Sequence, residues 1–235
     1  MFDIHTHILP GIDDGSRNVD MSIEMLREEV AQGVEGIVCT PHFYADSDTP
    51  KEFWDRRQRA VESLAARIGE VENCPPIVLG AEVHFYVGMS RSEFLRNLTM
   101  GNTDYILVEM PFRHWNRSFI QEIRDIGNNL RLQVIIAHLN RYMDRDKNLL
   151  EELIYDTGAL IQVNAEAFID RSSKRKMTKF LKDGQIDFLG SDCHNMADRA
   201  PNLAEAMRNI DPKLYAASHI DHNSKELFRS AGANI

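Results

Sequence analysis

The sequence predicts an α/β fold, a distorted seven-stranded (β/α) barrel of TIM-like kind, on three observations. Short apolar runs alternate with amphipathic stretches along the chain. Seven such runs occur, enough to close or nearly close a barrel. A length of 235 residues suits one such unit. The runs are Met1–His5, Gly36–Thr40, Ile77–Glu82, Tyr105–Met110, Gln133–His138, Leu160–Asn164 and Ile186–Ser191. Most are separated by helical spacing. Asp20–Gln32 carries Met21, Met25, Leu26 and Val30 on one face, and Phe53–Ile68 carries Val61, Leu64, Ala65 and Ile68. Phe119–Leu130, Lys147–Tyr155 and Ser173–Leu181 read likewise. Strand, helix, strand in succession implies parallel pairing with right-handed crossovers. The tail, Pro212–Ile235, reads as one or two short helices. No repeat or linker interrupts the pattern, so residues 1–235 are expected to form a single domain.

Composition narrows the function. The net charge is −9, from 27 basic and 36 acidic residues. No basic patch is evident, so nucleic acid is not the expected partner. An acidic total still permits an anionic substrate, because bound divalent ions reverse the sign locally. Cys39, Cys74 and Cys193 are odd in number and far apart, which argues against a disulfide framework. There is no basic-then-apolar leader and no long apolar run. A cytoplasmic protein without membrane insertion is expected.

The chemistry lies where the apolar runs end. The first ends at His5 and His7, two residues apart and hence on one side of a strand. Asp13 and Asp14 follow on a glycine-containing loop and can supply hard oxygen ligands. The second run ends at Thr40-Pro41-His42, the third at Glu82, the fourth at Glu109 and the fifth at His138. The seventh ends at Ser191-Asp192-Cys193-His194. In a parallel barrel all these ends face one mouth. Histidines and carboxylates converging there make a metal site.

These residues carry a resemblance. His5-Thr6-His7, Thr40-Pro41-His42, Gly80-Ala81-Glu82, Ala137-His138 and Ser191-Asp192-Cys193-His194 together resemble the polymerase-and-histidinol-phosphatase (PHP) superfamily. The opening stretch Asp3 to Gly15 is similar to one branch, the bacterial manganese-dependent tyrosine-protein phosphatases of capsule and exopolysaccharide clusters. Its metal motifs span residue 3 to about 201. One segment departs: the branch reads Ala-His-Pro-Glu-Arg-Tyr where this chain has Ala137-His138-Leu139-Asn140-Arg141-Tyr142.

The resemblance implies three divalent metal ions, manganese first, with iron or zinc as alternatives. One would be held by His5, His7, Glu82 and Asp192. A second would share Glu82 and add Glu109 and His138. A third would take Asp14, His42 and His194. The set holds no thiolate, which suits borderline-to-hard ions. It also implies that Arg141 and Arg199 grip the phosphate as catalytic residues. The implied substrate is a phosphotyrosine protein, the C-terminal tail of an autophosphorylated bacterial tyrosine kinase. The alternatives are a phosphoesterase acting on a small ester such as histidinol phosphate, and a non-catalytic regulator that docks on the kinase.

A competing signal is Cys193-x5-Arg199, the spacing of cysteine-based phosphatases. Such loops are usually glycine-rich; this one has no glycine and is followed by Ala200-Pro201. A buried Cys193 is the better reading. His84 is expected to stand behind the ligands. His114, Arg113, Trp115 and Arg117 are candidates to touch a phosphotyrosine ring or an acidic peptide. His219 and His222 read as structural or solvent-facing.

Overall fold

A computed structural model describes residues 1–235. Its parallel sheet is curled, with helices packed outside. There are nine short strands rather than the expected seven: β1 (Asp3–Thr6), β2 (Ile37–Cys39), β3 (His42–Phe43), β4 (Ile77–Leu79), β5 (Glu82–His84), β6 (Tyr105–Glu109), β7 (Gln133–Ile136), β8 (Leu160–Asn164) and β9 (Phe188–Gly190). They form a three-stranded sheet, β1-β2-β4, and a six-stranded sheet, β3-β5-β6-β7-β8-β9.

The count differs because two runs break near their ends. The second breaks at Thr40-Pro41, where proline has no N–H to give the ladder. The third breaks at Gly80-Ala81. Gly80 N–H still donates to Cys39 O at 2.8 Å, and Glu82 N–H to Pro41 O at 3.0 Å. Pairing therefore survives the kinks, and β3 and β5 continue the lines of β2 and β4. β1 and β9 also meet: Asp192 N–H donates to His5 O at 2.8 Å and His7 N–H to Cys193 O at 3.0 Å. Gly190 permits this approach, since a Cβ there would lie 2.6 Å from His5 Cβ.

The helices are α1 (Val19–Ala31), α2 (Pro50–Ala65), α3 (Arg117–Asp125), α4 (Lys147–Asp156), α5 (Glu166–Ile169), α6 (Arg171–Lys182), α7 (Leu203–Asn209), α8 (Pro212–Ala217) and α9 (Ile220–Ser230). α2 starts earlier than its apolar spacing suggests, because Thr49 and Glu52 form a capping box with Pro50 in the first turn. α3 ends in a π-helical turn, Ile126–Leu130. α5 and α7 are additions; the tail resolves into α8 and α9. No helix is long and apolar enough to cross a membrane.

Two apolar layers result. A cluster of 50 buried residues packs the helices on the sheet. A cluster of 11 includes Ile4, Val38, Val78, Leu107, Ile135 and Phe188, one residue from each of six strands. Leu227 and Phe228 of α9 complete it. The C-terminal strand ends lie beyond this layer.

Candidate metal centre

Alternation carries some donors to the centre directly. Val38, Thr40 and His42 share one parity, as do Val78, Gly80 and Glu82, and Leu107 and Glu109. The apolar member of each set lies in the smaller core cluster, and the polar member stands at the strand end. β1 changes parity instead. Ile4 is in the core cluster, yet its neighbour His5 joins the centre, across a register shift between Asp3 and Thr6. His138 follows core residue Ala137 and reaches the centre with φ of 34°, in the left-handed region. Asp192 has φ of 55°. Non-glycine residues held there mark sites where position outweighs backbone comfort.

The expected ligands meet. Glu82 lies at their middle. His5 Nε2, His7 Nε2 and His42 Nδ1 approach Glu82 Oε2 at 3.2, 3.3 and 3.0 Å. His138 Nε2 faces Glu82 Oε1 at 2.9 Å and Glu109 Oε1 at 3.5 Å. Asp192 Oδ1 is 3.6 Å from His5 Nε2 and 3.5 Å from His7 Nε2. Asp14, on the exposed lip, faces His42 Nε2 at 3.5 Å and His194 Nε2 at 3.4 Å. Three donor groups are compact enough for one ion each: His5, His7 and Asp192; His42, Glu82 and Glu109; and His7, Asp14, His42 and His194. His7 thus also stands beside the third group, to which the resemblance assigns only Asp14, His42 and His194, and His42 rather than His138 completes the compact group with Glu82 and Glu109.

The donor set fits divalent cations. Glu82 Oε2, His42 Nδ1 and His194 Nε2 are buried close to opposite charges yet in no well-aligned hydrogen bond. Such atoms are costly unless something binds them. The imidazoles are also aimed from behind. His7 Nδ1 donates to Asp13 Oδ2 at 2.8 Å, His194 Nδ1 to Asp192 O at 2.9 Å and His5 Nδ1 to Gln162 Oε1 at 3.2 Å. Each bond leaves Nε2 facing the centre, the usual support for a metal-bound histidine. Burial disfavours charge here; it prevails at His194, but the partners outweigh it at His138 and Glu82. Burial lowers His138, yet Glu109 and Glu82 hold it up to about 9. Burial raises Glu82, but His5 and His42 keep it well below the carboxylate range.

Several placements revise the sequence reading. Asp13 does not face the centre as a ligand; it holds His7 and accepts from the His42 and Gly15 N–H groups. Gly15 is required there, since a Cβ would meet His7 O at 2.3 Å. Gln162 and Asn164 of β8 were unforeseen. Gln162 accepts from His138 N–H at 2.6 Å, and Asn164 Nδ2 donates to Asp192 Oδ2 at 2.9 Å. Their signal was a polar pair two residues apart in an apolar run. Asn140, in the departing segment, accepts from Asn164 N–H at 2.9 Å. His84 does stand behind a ligand, 2.8 Å from Glu109 Oε2. Trp115 cannot meet a substrate: it is buried, donates to Pro111 O and packs on Tyr142. Arg113 lies over Phe119, Arg117 is largely exposed near Glu152, and His114, His219 and His222 are exposed.

The two arginines flank the centre. Arg141 Nη2 meets Asp192 Oδ2, and Arg199 Nη2 meets Asp192 Oδ1, each at 2.8 Å. The thiolate alternative fails on geometry. Cys193 is fully buried, its Sγ lies 3.8 Å from Glu29 Oε1, and burial with that carboxyl raises its pKa well above the ordinary thiol value. The N–H groups of His194 and Asn195 are taken by Arg199 O.

Comparison with known proteins agrees. The family described as capsular polysaccharide synthesis, CpsB/CapC, matches residues 1–229. The chain belongs to this family. It is 32% identical over 221 residues to the tyrosine-protein phosphatase YwqE of Bacillus subtilis, covering 91% of this chain and 85% of YwqE. It is 29% identical over 242 residues to the tyrosine-protein phosphatase CpsB of Streptococcus pneumoniae, covering 97% of this chain and 95% of CpsB. A solved structure reported with YwqE and CpsB as metal-dependent tyrosine phosphatases aligns with a TM-score of 0.82 at 27% identity, covering 98% of this chain and 95% of that one.

Proposed function

We propose that the chain is a metal-dependent protein-tyrosine phosphatase whose substrate is an autophosphorylated bacterial tyrosine kinase in capsule or exopolysaccharide control. The observation that carries this reading is the convergence of His5, His7, Asp14, His42, Glu82, Glu109, His138, Asp192 and His194, several of whose buried donor atoms make no well-aligned hydrogen bond. The nine strands are read as seven staves of a PHP-type barrel, with residues 1–235 acting as one unit. Three ions, manganese first, fit the three donor groups; His138 joins the group of Glu82 and Glu109. When bound, such ions supply Lewis-acid activation of water and neutralise phosphate charge.

The chain's own residues do the rest. Glu82 faces donors of every group and fixes their spacing. Asp13, Gln162 and Asn164 hold ligands in place. Arg141 and Arg199 are the catalytic cations: they lie against Asp192, at the edge of the centre, where a guanidinium fork can grip the phosphate's oxygens. A tyrosine leaving group has a pKa of about 10 and departs with little protonation. A cleft of about 520 Å³ adjoins the centre, lined by Ala45, His84, Val87, Phe112 and Arg113 among others. Phe112 is 51% exposed and stacks over His138 at 6.0 Å. This wall suits an aryl phosphate better than an alkyl one. Three free cysteines suit the reducing cytoplasm.

A substrate panel tests the reading. Phosphotyrosine peptide should turn over with manganese, while phosphoserine peptide and histidinol phosphate turn over poorly. Preference for histidinol phosphate would reassign the substrate. No turnover of any ester, with metals bound, would favour a docking regulator.

A further inference from the structure

Exposed cations on α2, α4 and α9 are matched by acids one turn away. Lys51 pairs with Asp55, Lys147 with Glu151, Lys225 with Asp221 and Arg229 with Glu226. α6 breaks this pattern. It carries Arg171, Lys174, Arg175, Lys176, Lys179 and Lys182 and no acid. The whole-chain charge of −9 conceals this patch, which the sequence reading did not foresee. Five of the six are exposed and Lys174 is half-buried. Lys174 and Lys176 donate to Asn209 Oδ1 and Met143 O rather than to a carboxylate.

Local stability does not account for the patch. Arg171–Arg175 and Arg175–Lys179 are like-charge pairs at i,i+4, which weaken a helix. Arg171 stands in the first turn, the end of the helix dipole least suited to a cation. The buried face needs only Met177 and Leu181. An anionic partner would turn these costs into attraction.

We propose that α6, with the groove between it and α4, docks an acidic, multiply phosphorylated segment flanking the phosphotyrosine that reacts. This rests on the phosphatase reading above. Continuity with the centre supports it. α6 follows α5, whose Glu166 lies 3.5 Å from Arg141, and Lys176 reaches the carbonyl of Met143, two residues past Arg141. The groove, about 500 Å³, is lined by Arg145, Lys147, Lys176 and Lys179 beside Leu150 and Phe180. Glu151 and Asp183 are its acids, and Glu151 is engaged by Lys147. An extended peptide can lay phosphates on the cations and aromatic rings on the apolar residues. Arg171, Arg175 and Lys182 lie outside the groove, on an adjoining surface that meets it at Lys179.

The test uses the full chain carrying Lys147→Gln, Arg175→Gln, Lys176→Gln and Lys179→Gln together. Binding is read by anisotropy of a fluorescent, glutamate-rich peptide with three phosphonomethyl-phenylalanines, which cannot be hydrolysed. Four exposed ion contacts of ordinary worth predict about tenfold weaker binding. The salt dependence of binding should flatten. Turnover of p-nitrophenyl phosphate and the melting temperature should hold. Unchanged peptide affinity would overturn the proposal. Unchanged affinity with lost sedimentation on phosphatidylglycerol vesicles would overturn it in favour of a membrane contact. If the wild-type chain hydrolyses no aryl phosphate, the phosphatase reading falls, and the anisotropy titration still decides docking.

Discussion

At one end of the strands Ile4, Val38, Val78, Leu107, Ile135 and Phe188 close on Leu227 and Phe228. At the other end the same or continuing strands present His5, His42, Glu82, Glu109, His138 and Asp192. Most residues of both layers are buried. The apolar layer is complete in itself, since burial alone stabilises it at roughly 25 cal/mol per Å². The polar layer is not complete, because Glu82 Oε2 and His194 Nε2 make no well-aligned hydrogen bond. Equal burial with opposite satisfaction separates a core from a binding site. A buried cluster of converging imidazoles and carboxylates without well-aligned hydrogen bonds is arranged for a guest.

Substitutions at the two layers should therefore fail differently. Glu82→Gln removes a charge shared among the donor groups, so phosphotyrosine turnover should drop to background with metal content reduced, as mass spectrometry would report. A fully loaded, active variant would remove Glu82 from the centre. Arg141→Ala should lower kcat by about 10²–10³ while metal content holds. Arg141→Lys should rescue it only in part, because an ammonium lacks the fork. Wild-type kinetics in the alanine variant would leave Arg199 as the sole cation. Asp13→Ala frees the His7 ring, and metal affinity should weaken by about 10–100-fold. In the apolar layer, Phe228→Ala should cost about 3–5 kcal/mol of stability yet leave kcat unchanged in the folded fraction. Loss of metal in that variant would mean that the layers are coupled. Cys193→Ser should change turnover least.

Legibility in the sequence followed the backbone's regularity. Glu82, Glu109 and His42 could be read from alternation, since each keeps the parity of a core residue two or four positions back. His5 and His138 could not. Alternation alone would send both away from the centre, and only the register shift in β1 and the left-handed backbone at His138 return them. The ends of the apolar runs, with the His-x-His spacing at His5, mark these two where alternation fails. The breaks at Thr40-Pro41 and Gly80-Ala81 were hidden because pairing runs on across them. Gln162 and Asn164 were passed over because they support ligands without being ligands. The α6 cations were lost in a net charge summed over the whole chain.

The most direct measurement is turnover of a phosphotyrosine peptide by chelated, dialysed protein, followed as manganese is added back. Activity should vanish on chelation and return with manganese, in Cys193→Ser as in the wild type. Turnover that survives complete removal of metal, and is lost in the serine variant, would contradict the assignment of chemistry to the histidine–carboxylate centre.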